Sequence, residues 1–326
     1  MRQLSDKVVA RLQTDMQAPD LTGTRYSLVH YLACGGMGSV WLAEDTLLHR
    51  RVALKVLDLV TPTDNLAARL LQEGQILAHL EHPGIVPVHD AGTLPDGRTF
   101  FCMKYVEGQT LTQYIPSRSL PDKLRLAQRI AEALDFAHAR GFIHRDLKPE
   151  NIMIGAFGEV LVMDWGLAKF DTAGLEPSEN EIASPIPTSS RVPGKGSVLG
   201  TPGYMSPEQA RGDTELGHRT DIFSLGALLW FMLTGSTPAD FAADRDMPRP
   251  LRAICEKCMA ADPDARYQSA AEMTADLAHY LDGAPVSAYS ESLFERASRL
   301  YTRHRTAVVL VAAYLLMRLL FILWAR

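Results

Sequence analysis

"IHRDLKPENIM", residues 143–153, is the most specific stretch of the chain, and it decides the fold. Three further stretches stand with it in a fixed order: "VALK" at 52–55, "MDWGLAK" at 163–169 and "GTPGYMSPEQARG" at 200–212. Ahead of all of them lies "LACGGMGSV", residues 32–40, a glycine-rich loop of the sort that holds phosphates. Glycine lets the backbone come close to an anion because no Cβ stands in the way. Gly35, Gly36 and Gly38 are in place, but the opening position, where a glycine is usual, is Ala33, followed by Cys34. A lone loop of this kind is a weak signal, whereas five motifs in order are a strong one.

The chain has 326 residues, which suits one large two-lobed domain or two small ones. Hydrophobic residues make up 47% and charged residues 22%, ordinary globular usage that supports a real core. A net charge of −5 argues against wholesale nucleic-acid binding. The four cysteines, Cys34, Cys102, Cys255 and Cys258, are too sparse for a disulfide framework and fit a reducing compartment. Cys255 and Cys258 form a C-x-x-C, but no second pair or nearby histidine completes a zinc site; at i and i+3 on a helix they suit buried packing. His79 and His82 read as helix-end and turn residues.

Strand-like runs, "RYSLVHYLA", "SVWLAED", "RRVALKVL", "GIVPVHDAG" and "RTFFCMKYV", alternate or cluster β-branched and aromatic residues between turn signals. Between the third and fourth, "DNLAARLLQEGQILAHLE" places Leu66, Leu70, Ile76, Leu77 and Leu80 at helical spacing. Five strands and one helix make a small, mostly β lobe. After Gly108 the pattern turns helical in "KLRLAQRIAEALDFAHARG", and again in "DIFSLGALLWFMLTG", "PLRAICEKCMA" and "SAAEMTADLAHYLDG". Residues 171–199, rich in Ser, Pro, Gly and Glu, read as a long loop.

With these motifs the chain resembles a bacterial protein kinase of the eukaryotic-like Ser/Thr class, from about Tyr26 to Leu281. The resemblance implies an α+β, two-lobed kinase fold: a lead-in over 1–23, a β-rich N-lobe over 24–107 and a helical C-lobe over 108–282. It implies transfer of the γ-phosphoryl of ATP, with Mg²⁺ (or Mn²⁺), to Ser or Thr hydroxyls of proteins, this chain included. By the same resemblance Lys55 contacts the α- and β-phosphates and Glu73 holds Lys55 in place. Asp164 and Asn151 bind the metal, Asp146 accepts the substrate hydroxyl proton, and Lys148 steadies the γ-phosphoryl. The loop Ala33, Cys34, Gly35, Gly36 and Gly38 covers the phosphates. Val40, Ala53 and Met153 sandwich the adenine, Met103 is the gatekeeper, and the backbone of Lys104 and Val106 in the hinge bonds its edge.

Further expectations come with the resemblance. Trp165 takes the place of the usual phenylalanine and packs under the helix of Glu73; Glu208 pairs with Arg266; Thr201 touches Asp146 and Lys148; Asp221 braces the catalytic loop. Arg145 meets a phosphorylated loop residue, for which Thr188, Ser189, Ser190 and Ser197 are the candidates. Alanine at position 33 is nearly free if its backbone is β-like, and costs on the order of 1 kcal/mol if φ is positive. That methyl, with the short segment "STPADFAADRDMPRP" after Gly235, is what favours the rival reading, a pseudokinase scaffold that holds nucleotide without turnover.

Residues 307–325, "AVVLVAAYLLMRLLFILWA", are apolar except for Arg318, and a helix of this length reaches roughly 30 Å. Arg296, Arg299, Arg303 and Arg305 precede it in a basic connector over 283–306. The expectation is a C-terminal transmembrane helix with the kinase lobes on the cytoplasmic side of the membrane, since positive flanks stay there. The competing reading is a helix packed on the kinase or on the partner chain of a homodimer.

Overall fold

The computed structural model describes residues 18–35, 38–57, 64–165, 169–170, 201–213, 216–238, 247–292, 294–297 and 305–324. Five strands build the N-lobe sheet: β1 Tyr26–Gly35, β2 Gly38–Asp45, β3 Arg50–Val56, β4 Val88–Thr93 and β5 Thr99–Lys104. They hydrogen-bond in the order β1-β2-β3-β5-β4, each pair antiparallel. Helix α1, Asp64–His79, packs on one face, with Leu70, Ile76 and Leu77 buried and Leu80 buried just beyond its end.

The period-2 alternation of a strand explains the two faces of β3. Val52, Leu54 and Val56 enter an outer core with Tyr26, Trp41 and Phe100. Ala53 enters the inner core with Leu70, Phe101 and Met103, and Lys55 shares that inward face. β2 runs so close to β3 that a Cβ on Gly38 would lie 2.1 Å from the Val56 carbonyl oxygen, so the site tolerates no side chain.

The C-lobe is helical and begins with the single turn α2, Leu111–Tyr114. Helix α3, Leu120–His138, buries Leu124, Ala127, Ile130, Ala131, Leu134 and Ala137 along one stripe; Ser119 caps its start by accepting the Asp122 amide. A second short helix, α4, Pro207–Ala210, is capped by Ser206. Helix α5, Arg219–Thr234, is buried nearly all round, as its almost unbroken apolar sequence requires. It meets α6, Arg249–Cys258, at close range: a Cβ on Gly226 would lie 2.3 Å from that of Cys258. Cys255 and Cys258 are fully buried free thiols in this contact, as the packing reading requires. Helix α7, Ala270–Leu281, closes the lobe against α3 and α6.

Two small sheets join the lobes to the catalytic segment. β6 (Gly108–Thr110), β8 (Ile152–Gly155) and β9 (Val160–Val162) form one. β7 (Phe142–Ile143) and β10 (Lys169–Phe170) form the other. The short apolar runs "IMI" and "VLVMD" read as strands and form β8 and β9, whereas β6, β7 and β10 carry no such run long enough to read. The segment after Gly235 that read as shortened lies largely outside the described residues, as do Gly36, Thr188, Ser189, Ser190 and Ser197.

The apolar C-terminal run, expected to form a transmembrane helix, is helical over most of its length. Helix α8, Arg305–Trp324, is present, with Val309, Leu310, Leu315, Leu316, Leu320 and Phe321 exposed. Its side chains are described only in part, and among the described residues no helix is long and apolar enough to cross a membrane.

Candidate active site

The site forms where β3, α1 and the loops after β7 and β9 converge. Lys55 Nζ lies 2.7 and 2.8 Å from the two carboxylate oxygens of Glu73 and 2.9 Å from Asp164 Oδ1. Glu73 is 2% exposed and sits on the inner face of α1 between Leu70 and Leu77, three residues before it and four after. Burial works against the Lys55 charge, yet Glu73 and Asp164 hold its pKa above the ordinary lysine range. For Asp164 burial pushes up, and the nearby Lys55 ammonium prevails and holds it below the ordinary carboxylate range.

A second cluster centres on Asp146. Lys148 Nζ donates to Asp146 Oδ2 at 2.8 Å and to Thr201 Oγ1 at 3.0 Å; Thr201 Oγ1 donates to Asp146 Oδ1 at 2.9 Å. Asn151 Nδ2 donates to the Asp146 carbonyl at 2.8 Å, which fixes the amide so that its oxygen faces the other way. The expected contacts of Thr201 with Asp146 and Lys148 are therefore present.

The loop carrying these groups is held from behind. Asp221, fully buried on α5, accepts from the amides of His144 and Arg145, each at 2.8 Å. His138 Nε2 lies 2.8 Å from the same carboxylate. Burial pushes Asp221 up, but the His138 hydrogen bond, the nearby histidines and the Arg145 amide hold it below the ordinary range. His144 spans to the Met163 carbonyl at 3.0 Å and lies against the Trp165 ring, centroid to centroid 4.7 Å. Trp165 is fully buried in the inner core. Arg145 and Asp164 adopt left-handed backbone, with φ of 71° and 59°. Such strain persists only where the surroundings over-determine it, and it gathers at working sites.

Arg266 donates two hydrogen bonds to Glu208, at 2.7 and 2.8 Å, and is 2% exposed, so the expected anchor of the segment after residue 200 is formed. Sequence reading missed two members of this framework, His138 and Gln209. Gln209 Nε2 donates to the Arg145 carbonyl at 2.7 Å. His138 closes the amphipathic helix α3 and Gln209 lies inside the 200–212 stretch; only the packing shows which groups they bond.

Around the nucleotide cleft, Ala53 faces Met103 across β3 and β5, Val40 pairs with Lys55, and Met153 pairs with Thr110 and Leu161. The Lys104 amide donates to the Pro87 carbonyl at 3.0 Å, which holds the end of β5 against the segment before β4. Ala33 pairs with Val40 and Cys34 with Ser39 inside β1, and Ala33 is not among the residues with positive φ. The methyl is therefore free of strain.

The donor set fits a divalent cation of the hard class. Asp164 offers a carboxylate half-open to the cleft, and Asn151 an amide oxygen. No group of three or more His, Cys, Asp or Glu forms a metal cage among the described residues. A hard cation held by these two groups takes phosphate oxygens and waters for the rest of its shell.

Residues 26–283 match the model of the protein kinase domain. The chain is 34% identical to the serine/threonine-protein kinase PknD of Chlamydia caviae over 297 residues, covering 80% of this chain and 32% of that protein. It is 38% identical to PknB of Mycobacterium tuberculosis over 305 residues, covering 84% of this chain and 45% of that one. It thus spans less than half the length of these relatives. The crystal structure of the Mycobacterium tuberculosis PknI kinase domain superposes with a TM-score of 0.60 at 26% identity, covering 80% of this chain and 98% of that domain. With the paired Lys55 and Glu73 and the Asp146–Lys148–Thr201 cluster in place, the chain belongs to the protein kinase family, alongside the bacterial Ser/Thr kinases.

Proposed function

We propose that the chain transfers the γ-phosphoryl of ATP to Ser and Thr hydroxyls of proteins. The observation that carries this reading is the triangle of Asp146, Lys148 and Thr201, with every edge at hydrogen-bond distance. A substrate hydroxyl entering this triangle loses its proton to Asp146 as its oxygen bonds to the γ-phosphorus. The bond from that phosphorus to the β-bridging oxygen breaks, and ADP leaves. Lys148 compensates the charge on the transferred group, and Lys55 holds the α- and β-phosphates. Asp164 and Asn151 would hold Mg²⁺, which supplies charge neutralisation on the phosphates when bound. Val40, Ala53, Met103 and Met153 would line the adenine pocket, and the hinge backbone at Lys104 and Val106 would read its edge.

The test is incubation of the purified full chain with labelled ATP and Mg²⁺ beside Asp164→Asn. Label appears in the chain itself or in a generic basic acceptor, and not with the variant. Label in neither for the wild type returns the scaffold reading, in which nucleotide binds without turnover.

We also propose that the tail associates with the cytoplasmic membrane, the kinase lobes remaining in the cytoplasm. Support comes from the apolar side chains exposed on α8 and the arginines ahead of it. Alkaline carbonate extraction leaves an embedded chain in the pellet; release into the supernatant removes the proposal.

A further inference from the structure

Arg145, immediately before Asp146, has a φ of 71°. Side chains in that left-handed region are disfavoured by about 1–2 kcal/mol, so the conformation is held from outside. On the amide side, Asp221 Oδ1 accepts from Arg145 N at 2.8 Å. On the carbonyl side, Gln209 Nε2 donates to Arg145 O at 2.7 Å. The peptide between Arg145 and Asp146 is pinned at its other end too, since Asp146 N donates to His144 Nδ1 at 3.3 Å.

Gln209 is 3% exposed, and both halves of its amide are in use. Its Oε1 accepts from Ser206 N at 3.0 Å and Ser206 Oγ at 3.2 Å; its own backbone N donates back to Ser206 Oγ at 3.4 Å. The partners fix which way the amide points, because the Ser206 amide needs an acceptor and the Arg145 carbonyl needs a donor. The neighbouring Glu208 is bound to Arg266. One side chain thus links the anchored end of the segment that carries Thr201 to the peptide that aims Asp146.

We propose that Gln209 is a positioning residue for phosphoryl transfer: its Nε2–H holds the Arg145 carbonyl and so sets the orientation of the Asp146 carboxylate. This rests on the kinase reading above and adds to it a residue outside the reacting groups.

Two variants separate positioning from support. Gln209→Glu keeps an oxygen toward Ser206 N and loses the donor toward Arg145; Gln209→Met loses both. On the full chain, with a generic basic acceptor and saturating Mg·ATP, kcat falls about tenfold or more in each, while KM for ATP stays within about twofold. Amide hydrogen exchange over residues 143–148 accelerates in both variants, while that of α3 does not change. An unchanged kcat in either folded variant, or a raised KM with kcat intact, overturns the assignment. If Gln209→Met fails to fold, Gln209→Glu decides alone, because it retains the contact to Ser206. If the wild type itself shows no turnover, the kinase reading fails, and the exchange measurement still decides: catalytic-loop protection that is the same with and without the Gln209 donor overturns the positioning role.

Discussion

Lys55 and Glu73 meet through two hydrogen bonds of 2.7 and 2.8 Å, and the same ammonium reaches Asp164 at 2.9 Å. Replacing Lys55 by Met leaves two carboxylates facing each other across a buried site with no cation between them. We expect phosphoryl transfer to fall by about 100-fold or more, since an electrostatic anchor of the phosphates goes with it. The folded state should lose stability as well, because removing one partner of a buried pair costs about 3–5 kcal/mol. Single-turnover kinetics and thermal melting measure the two effects separately.

Thr201 gives a finer test of the Asp146 cluster. Thr201→Val keeps the shape and removes the hydroxyl that joins Asp146 to Lys148. A lost hydrogen bond to charged groups is worth about 1.5–3 kcal/mol, so kcat drops by roughly 10–100-fold. Thr201→Ser restores most of it. Equal activity in Val and Ser variants would show that the hydroxyl has no part in the reaction.

Ala33 predicts an outcome opposite to family habit. Restoring the usual glycine with Ala33→Gly brings no relief, because Ala33 already lies in β1 paired with Val40. Glycine in a strand costs about 0.5–1 kcal/mol in backbone freedom. KM for ATP should stay within about twofold, and the melting temperature should fall slightly. A clear gain in nucleotide affinity would mean that the methyl obstructs the phosphates.

Acid should unfold the chain through a few carboxylates. Burial alone would raise Glu208, Asp221 and Asp276, but hydrogen bonds from Arg266, from His138 and from Tyr267 and Ser287 respectively hold each below its ordinary range. A carboxylate with a depressed folded pKa binds fewer protons folded than unfolded. Its contribution is complete above the unfolded value, about 4, and is lost as pH falls through the folded one. Thermal melts should show this contribution constant above about pH 5 and declining below about pH 4, less steeply in Glu208→Gln. Stability that rises on acidification from about pH 5 to about pH 3 would contradict the assignment.

Much of the site is legible in the sequence because each motif places its side chain through local geometry. The alternation in "VALKV" dictates that Lys55 faces inward with Ala53, and the helical spacing around Glu73 puts it on the face with Leu70 and Leu77. Contacts outside local geometry are not legible. His138 meets Asp221, and Gln209 meets Arg145, only once α3, α5 and the anchor helix α4 pack together. The strands β6, β7 and β10 are two or three residues long, with no period to detect.

The family match ends at residue 283, yet Asp276, 2% exposed on α7, takes its partners beyond that point. It accepts from Ser287 N and Oγ, each at 2.7 Å, and from Ala288 N at 3.1 Å, while Val286 is buried against the C-lobe. A protein cut at the last matched residue would strand a desolvated carboxylate with Tyr267 as its chief remaining donor. The rear of the catalytic lobe is in this sense stitched to the connector at Ser287 and Ala288. Tension on the C-terminal segment is therefore delivered, at Ser287 and Ala288, to the helix that carries Asp276.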